Sequence, residues 1–132
     1  MKTRYVLSIA ALSLVCTVAS AGFVQPAPVT IDFTIRAAQG DQYTARNSRN
    51  KFEYIGCGVR YFQSGSFMFC QAGVGEALAQ QITCFSDNPA FFDAVKSISA
   101  FSFIQFRWDI DGNCTFIGNS TQSFYLPDFN RR

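Results

Sequence analysis

The 132-residue chain contains no histidine. The side chain that most often serves as general acid or base near neutral pH is therefore missing. That excludes histidine-based serine and cysteine hydrolases and histidine-dependent nucleases. Zinc is disfavoured by the same absence and by the cysteine spacing, since no two cysteines stand two to four residues apart. The chain also lacks an apolar run long enough to cross a bilayer as a helix, which takes about 20 residues. The apolar run near the N-terminus, residues 6–18, has 13. There is no internal repeat and no low-complexity tract, and nothing in the sequence calls for a cofactor.

What stands at the N-terminus is a secretory signal. Lys2 and Arg4 are followed by the apolar run and then by Ala19-Ser20-Ala21, which is the basic, apolar and small-residue order of a cleaved leader. Cleavage after Ala21 divides the chain into a signal peptide, 1–21, and a mature domain, 22–132. The alternative, a lipid anchor on Cys16, is disfavoured by the bulky Val15 before it. Loss of Lys2 and Arg4 reduces the 11 basic residues to nine, equal to the nine acidic ones. A neutral chain has no general attraction for nucleic acid or for an anionic membrane. The expected setting is secreted or periplasmic, and the compact signal is of bacterial type.

Four cysteines remain after cleavage: Cys57, Cys70, Cys84 and Cys114. An even number in a short exported chain reads as two disulfides, leaving no thiolate nucleophile. Three connectivities are possible. Placement on neighbouring strands favours Cys70–Cys84, with Cys57–Cys114 closing a longer loop.

The apolar pattern predicts a mainly β chain. Val29, Ile31, Phe33 and Ile35 alternate with polar residues, as in a strand with one buried face. Residues 37–51 are polar and read as a surface loop. Residues 52–63 and 67–71 read as two strands about a Ser64-Gly65 turn, and 77–85 as a third. Ser86-Asp87-Asn88-Pro89 opens a short helix, 89–98, through a capping side chain and a proline in the first turn. Residues 101–110 are the strongest strand, with Ile104, Phe106, Trp108 and Ile110 facing one way. The fold class is a small antiparallel β-sandwich or barrel of about six strands with one short helix and two disulfides.

Two stretches suggest sites. Asp109, Asp111 and Asn113 are spaced like the first oxygen ligands of a calcium loop, but the twelfth position counted from Asp109 is Ser120, where a helix-loop-helix site needs a glutamate. Asp111-Gly112 between two alternating runs is better explained as a hairpin turn, so no metal is expected. Tyr43, Arg46, Arg49 and Lys51 form the one local basic cluster and a possible binding loop, since arginine offers a planar fork to carboxylate or sulfate. Asn113-Cys114-Thr115 and Asn119-Ser120-Thr121 match the glycosylation pattern. The 15 phenylalanines exceed what inward positions take up: pairs such as Tyr61-Phe62 and Phe91-Phe92 cannot both face inward along a strand. Exposed aromatics stack on sugars or meet protein partners.

No pair of carboxylates is singled out by context, so no catalytic residues are assigned. The expected function is a binding or structural module without catalysis, for an unidentified protein or glycan ligand. Two alternatives are a secreted inhibitor or toxin-like effector docking on another protein, and a glycan hydrolase working through a carboxylate pair.

Overall fold

The computed structural model describes residues 22–127; residues 1–21, where the sequence predicts a leader, lie outside them, as do residues 128–132. Seven strands form two antiparallel sheets. One has the order β1-β2-β6-β7, from β1 (Thr30–Asp32), β2 (Ala37–Asp41), β6 (Phe103–Trp108) and β7 (Cys114–Ser120). The other has the order β3-β4-β5, from β3 (Tyr54–Phe62), β4 (Gly65–Gly73) and β5 (Gln81–Ser86). Two helices, α1 (Gln42–Arg46) and α2 (Pro89–Lys96), and 3-10 turns at Leu78–Gln80 and Ser123–Tyr125 complete the described residues. The mainly β expectation holds, with one strand and one short helix more than the sequence indicated.

The core lies between the sheets. Ile104, Phe106 and Trp108 of β6 alternate inward, as their period of two requires. They meet Met68, Cys70 and Ala72 of β4, all fully buried. Ile110, in phase with that run, is 81% exposed because the strand ends at Trp108. The sheets touch along β5 and β7: the Phe85 N–H donates to the Gly112 carbonyl at 3.1 Å, and an isolated parallel bridge pairs Phe85 with Asn113. Helix α2 closes one end. Asn88 caps it by accepting from the Ala90 N–H at 3.0 Å, Pro89 fits its first turn, and Phe92 and Val95 face the core. The Asn119 amide on β7 ties the helix down, donating to the Ala94 carbonyl and the Ser97 hydroxyl at 3.1 and 2.9 Å.

The run at 29–36 is not one strand. It turns back after β1 because the Asp32 carboxylate accepts from the Thr34 and Ile35 N–H groups at 2.8 and 3.1 Å, while Arg36 takes a φ of 51°. Local hydrogen bonding of an aspartate to the backbone two or three residues ahead competes with an extended chain. Nor is 37–51 simply a loop. Residues 37–41 form β2, sandwiched between β1 and β6, and α1 follows at once. Small residues suit this crowded strand: a Cβ on Gly40 would lie 2.9 Å from the Val29 Cα. Of residues 77–85, only the part from Gln81 pairs as a strand, and α2 ends two residues earlier than the predicted helix.

Asp41 holds this region together. Only 1% of it is exposed, and its two carboxylate oxygens accept from the Ala27 N–H and the Thr44 N–H, each at 2.6 Å. One bond straps the leading segment to β2 and the other caps α1. Burial, then the charge of Asp41, pushes the Tyr125 phenol above its ordinary pKa. Asp41→Ala strands two backbone donors, one of which is the N-cap bond of α1, so a loss of about 2 kcal/mol is expected. Urea unfolding of the variant measures it directly; an unchanged midpoint would show that water replaces the carboxylate without cost.

The disulfides are Cys57–Cys70 and Cys84–Cys114, which corrects the pairing favoured by sequence. Cys70 does stand opposite Cys84 across β4 and β5, but it also stands opposite Cys57 across β3 and β4. The Cα atoms of Cys57 and Cys70 are only 4.0 Å apart, which marks the close, non-hydrogen-bonded kind of antiparallel pair. A residue's N–H and C=O point to the same side of its strand, so Cys70 faces Cys84 as the wider, hydrogen-bonded kind. Side chains stand nearer to each other in the close kind of pair, and the sulfur of Cys70 is bonded to Cys57. Cys84 then meets Cys114 where the two sheets touch.

An aromatic face and a two-part cleft

The outer face of the three-stranded sheet follows from the cysteines. Cys70 and Cys84 are buried, so their strand neighbours Phe69 and Phe85 point the other way, together with Phe67. On β3 the same face carries Gly56, Gly58, Arg60 and Phe62. Register sets Gly58, Phe69 and Phe85 in one row and Gly56, Gln71 and Thr83 in the next.

These side chains form one strip. Phe62 stacks on Phe67 with ring centroids 5.8 Å apart and 21° between planes, and Phe67 meets Phe85 edge-on at 5.9 Å. Phe69 lies over Gly58, where a Cβ would come within 2.9 Å of its ring, and the Arg60 guanidinium sits 4.8 Å above that ring. Glycine at 58 therefore makes room for a flat-lying ring. Phe62 and Phe85 remain 59% and 49% exposed.

At the Phe67–Phe85 end the strip opens into a cleft of about 350 Å³ lined also by Ser86, Asp87 and Asn113. A second cleft of about 290 Å³ lies on the other side of Asp87, between α2 and the end of β3, lined by Tyr61, Ser66, Phe92, Asp93 and Lys96 among others. Asp87 borders both. In the second cleft the Lys96 ammonium stands 3.8 Å from Asp93 and 5.9 Å over the Tyr61 ring; the Tyr61 hydroxyl is the main reason its pKa lies above the ordinary value. An exposed pair of this kind contributes little to stability. Asp87 and Asp93 thus share a cleft, one exposed on its rim and the other beside a lysine.

The Asp109–Asn113 stretch is a hairpin loop, longer than a two-residue turn. Its carboxylate is already occupied: Asp109 Oδ1 accepts from the Asp111 and Asn113 N–H groups at 2.9 and 2.8 Å, and Oδ2 from the Asn113 amide at 2.9 Å. Gly112 alone takes a left-handed φ within the loop, of 84°. The Asp109 carboxylate thus serves the loop's own N–H groups, and no group of three or more metal-ligating side chains is found among the described residues. The same donors, led by the Asn113 side chain, hold the Asp109 carboxyl below its ordinary pKa. A depressed folded-state pKa gives stabilisation that is complete above the unfolded value and lost as pH falls through the folded one. Asp109→Asn is therefore expected to lower the urea midpoint at pH 7 and to lower it by less as the pH is brought down through the acid range, and an equal loss throughout would refute this. The amides of Asn113 and Asn119, the two glycosylation-pattern residues, both serve as donors within the fold.

The predicted basic cluster is spread over α1 and the segment after it. Tyr43 packs edge-on against Phe101 at 6.0 Å. Arg46 ends α1 and lines a cleft of about 240 Å³ with Gln42, Glu53 and Tyr54, whereas Tyr43, Arg49 and Lys51 are not among its lining residues. The aromatic strip was the feature sequence reading missed. A signal for it existed in F-M-F-C (67–70) and C-F (84–85), because once the cysteines face inward the intervening phenylalanines must face out. No protein-family model matches the chain, and comparison with curated proteins and with solved structures gives no match either.

Proposed function

We propose that the protein is an exported binding module whose ligand is a neutral glycan, held on the outer face of the three-stranded sheet. The observation that carries this is the outer-face strip of Phe62 and Phe85, both exposed, with the half-buried Phe67 packed between them and hydrogen-bonding side chains beside it. Pyranose rings present C–H faces to aromatic planes and hydroxyls to their surroundings. The strip supplies the planes; Gln71, Thr83, Asp87 and Asn113 at its margins supply the polar partners. Oriented polar groups around an apolar platform are the usual composition of a small-ligand site. The balanced charge of residues 22–132 favours a neutral ligand over a polyanion. Export rests on the leader at 1–21, and two disulfides with no helix long and apolar enough to cross a membrane among the described residues are compatible with it.

The test is retention on a panel of insoluble and soluble polysaccharides, followed by calorimetry with the best of them. Phe85→Ala and Phe67→Ala should each weaken binding roughly 10-fold, the order expected for loss of one aromatic contact, with the circular dichroism spectrum unchanged. Arg49→Ala with Lys51→Ala should leave binding intact. Retention by no polysaccharide, or retention indifferent to Phe67 and Phe85, overturns the reading and leaves docking on a protein as the better account.

A further inference from the structure

Three cysteines on three adjacent strands stand in one row: Cys57 opposite Cys70, and Cys70 opposite Cys84. Cys84 is bonded onward to Cys114 on the other sheet. Four sulfurs therefore lie in sequence, with two bonds and one gap between Cys70 and Cys84. That gap is the wider kind of antiparallel pair, with Cα atoms about 5.5 Å apart, inside the range of about 4.4–6.8 Å that a disulfide spans. Access is unequal along the row. Cys57 lies on β3, at the edge of its sheet, and is half-buried, whereas Cys70 and Cys84 are 0% exposed and Cys114 4%.

We propose that Cys57 is a site of modification by small thiols, and that its modification is passed along the row to open the bridge between the sheets. A thiolate from outside attacks Cys57 Sγ, forming a mixed disulfide there and breaking the bond to Cys70. The released Cys70 thiolate attacks Cys84 Sγ, forming Cys70–Cys84 and breaking the bond to Cys114. The Cys114 thiolate leaves and takes up the proton that the incoming thiol lost. Two disulfides and one thiol enter, and two disulfides and one thiol result, so no oxidant or reductant is needed. The outcome is more than a local adduct. Cys84–Cys114 joins the two sheets, and after exchange every remaining sulfur link lies within the three-stranded sheet.

Sequence makes the exchange readable. Trypsin cuts after Lys51, Arg60, Lys96 and Arg107, and nowhere between Cys70 and Cys84, so both lie on one peptide, 61–96. In the starting protein that peptide is tethered to two others. The folded protein would be treated with glutathione, quenched with acid, alkylated with a maleimide and digested. The expected result is glutathione on Cys57, maleimide on Cys114, and peptide 61–96 free and two hydrogens lighter than its reduced form, the three rising together. Glutathione on Cys57 with maleimide on Cys70 and an intact Cys84–Cys114 bridge would overturn the relay. First attack at Cys114, or no reaction of the folded protein, would overturn it as well. In Cys57→Ser, maleimide should divide between Cys70 and Cys114; label confined to Cys70 counts against the proposal independently of the thiol used.

Discussion

Phe106→Ala is expected to lower the stability of the protein by about 3–5 kcal/mol, the cost of removing a fully buried ring and leaving its cavity. Phe106 is 0% exposed, on the strand flanked by β2 and β7. It stands opposite Ala38 on one side and Ile117 on the other, and its ring lies 6.0 Å from that of Trp108. Strands held on both sides by backbone hydrogen bonds cannot move in to fill the space, which places the loss at the upper part of that range. Small domains have only about 5–15 kcal/mol in total, so the variant should unfold at markedly lower urea. Phe116→Ala is the control. That ring is 43% exposed on β7, and its loss should cost less than about 1 kcal/mol. Equal midpoints for the two variants would mean that the core does not lie where Phe106 points.

The second large effect comes from the bridge between the sheets. Cys84 and Cys114 are 30 residues apart, and the chain-entropy argument gives about 3.6 kcal/mol for closing a loop of that length. The Cys84→Ala, Cys114→Ala double variant should therefore lose about 4 kcal/mol, since it also gives up sulfur packing at two buried positions. Removing Cys57–Cys70 should cost less. Those residues are only 13 apart and already face one another in the β3–β4 hairpin, so the bridge restrains a segment that its ladder restrains too. Unfolding midpoints of the two double variants decide the matter, and the reverse order would show that the β5–β7 contact holds without its bridge. Neither double variant retains a second bridge with which to exchange.

The features legible in the sequence were those set by local rules. The hairpin of β3 and β4 followed from aromatic runs about Ser64-Gly65, and α2 from Asn88 and Pro89. The inward residues of β6 followed from alternation at Ile104, Phe106 and Trp108. The cysteines were read as two disulfides, and the structure contains two. The Asp109–Asn113 stretch was read as a hairpin connection, and it does join the antiparallel pair β6 and β7. Misreadings arose where one local rule hid another. Alternation at 29–36 masked the Asp32 turn, and the polarity of 37–51 masked β2, whose small residues are there because neighbouring strands leave no room for larger ones.

By itself, the sequence determined the mainly β class, the number of disulfides, and the absence of histidine chemistry. These depend on residue type and on spacing along the chain, so they survive ignorance of the fold. The cysteine partners and the aromatic strip were decided only by tertiary structure. Both depend on strand register: three in-register cysteines offer Cys70 two neighbours, and the difference between a close and a wide strand pair chooses one. The same register places Phe62, Phe67 and Phe85 side by side, although 23 residues separate the first from the last. Pairing between distant segments carries that information, and alternation within any one of them does not.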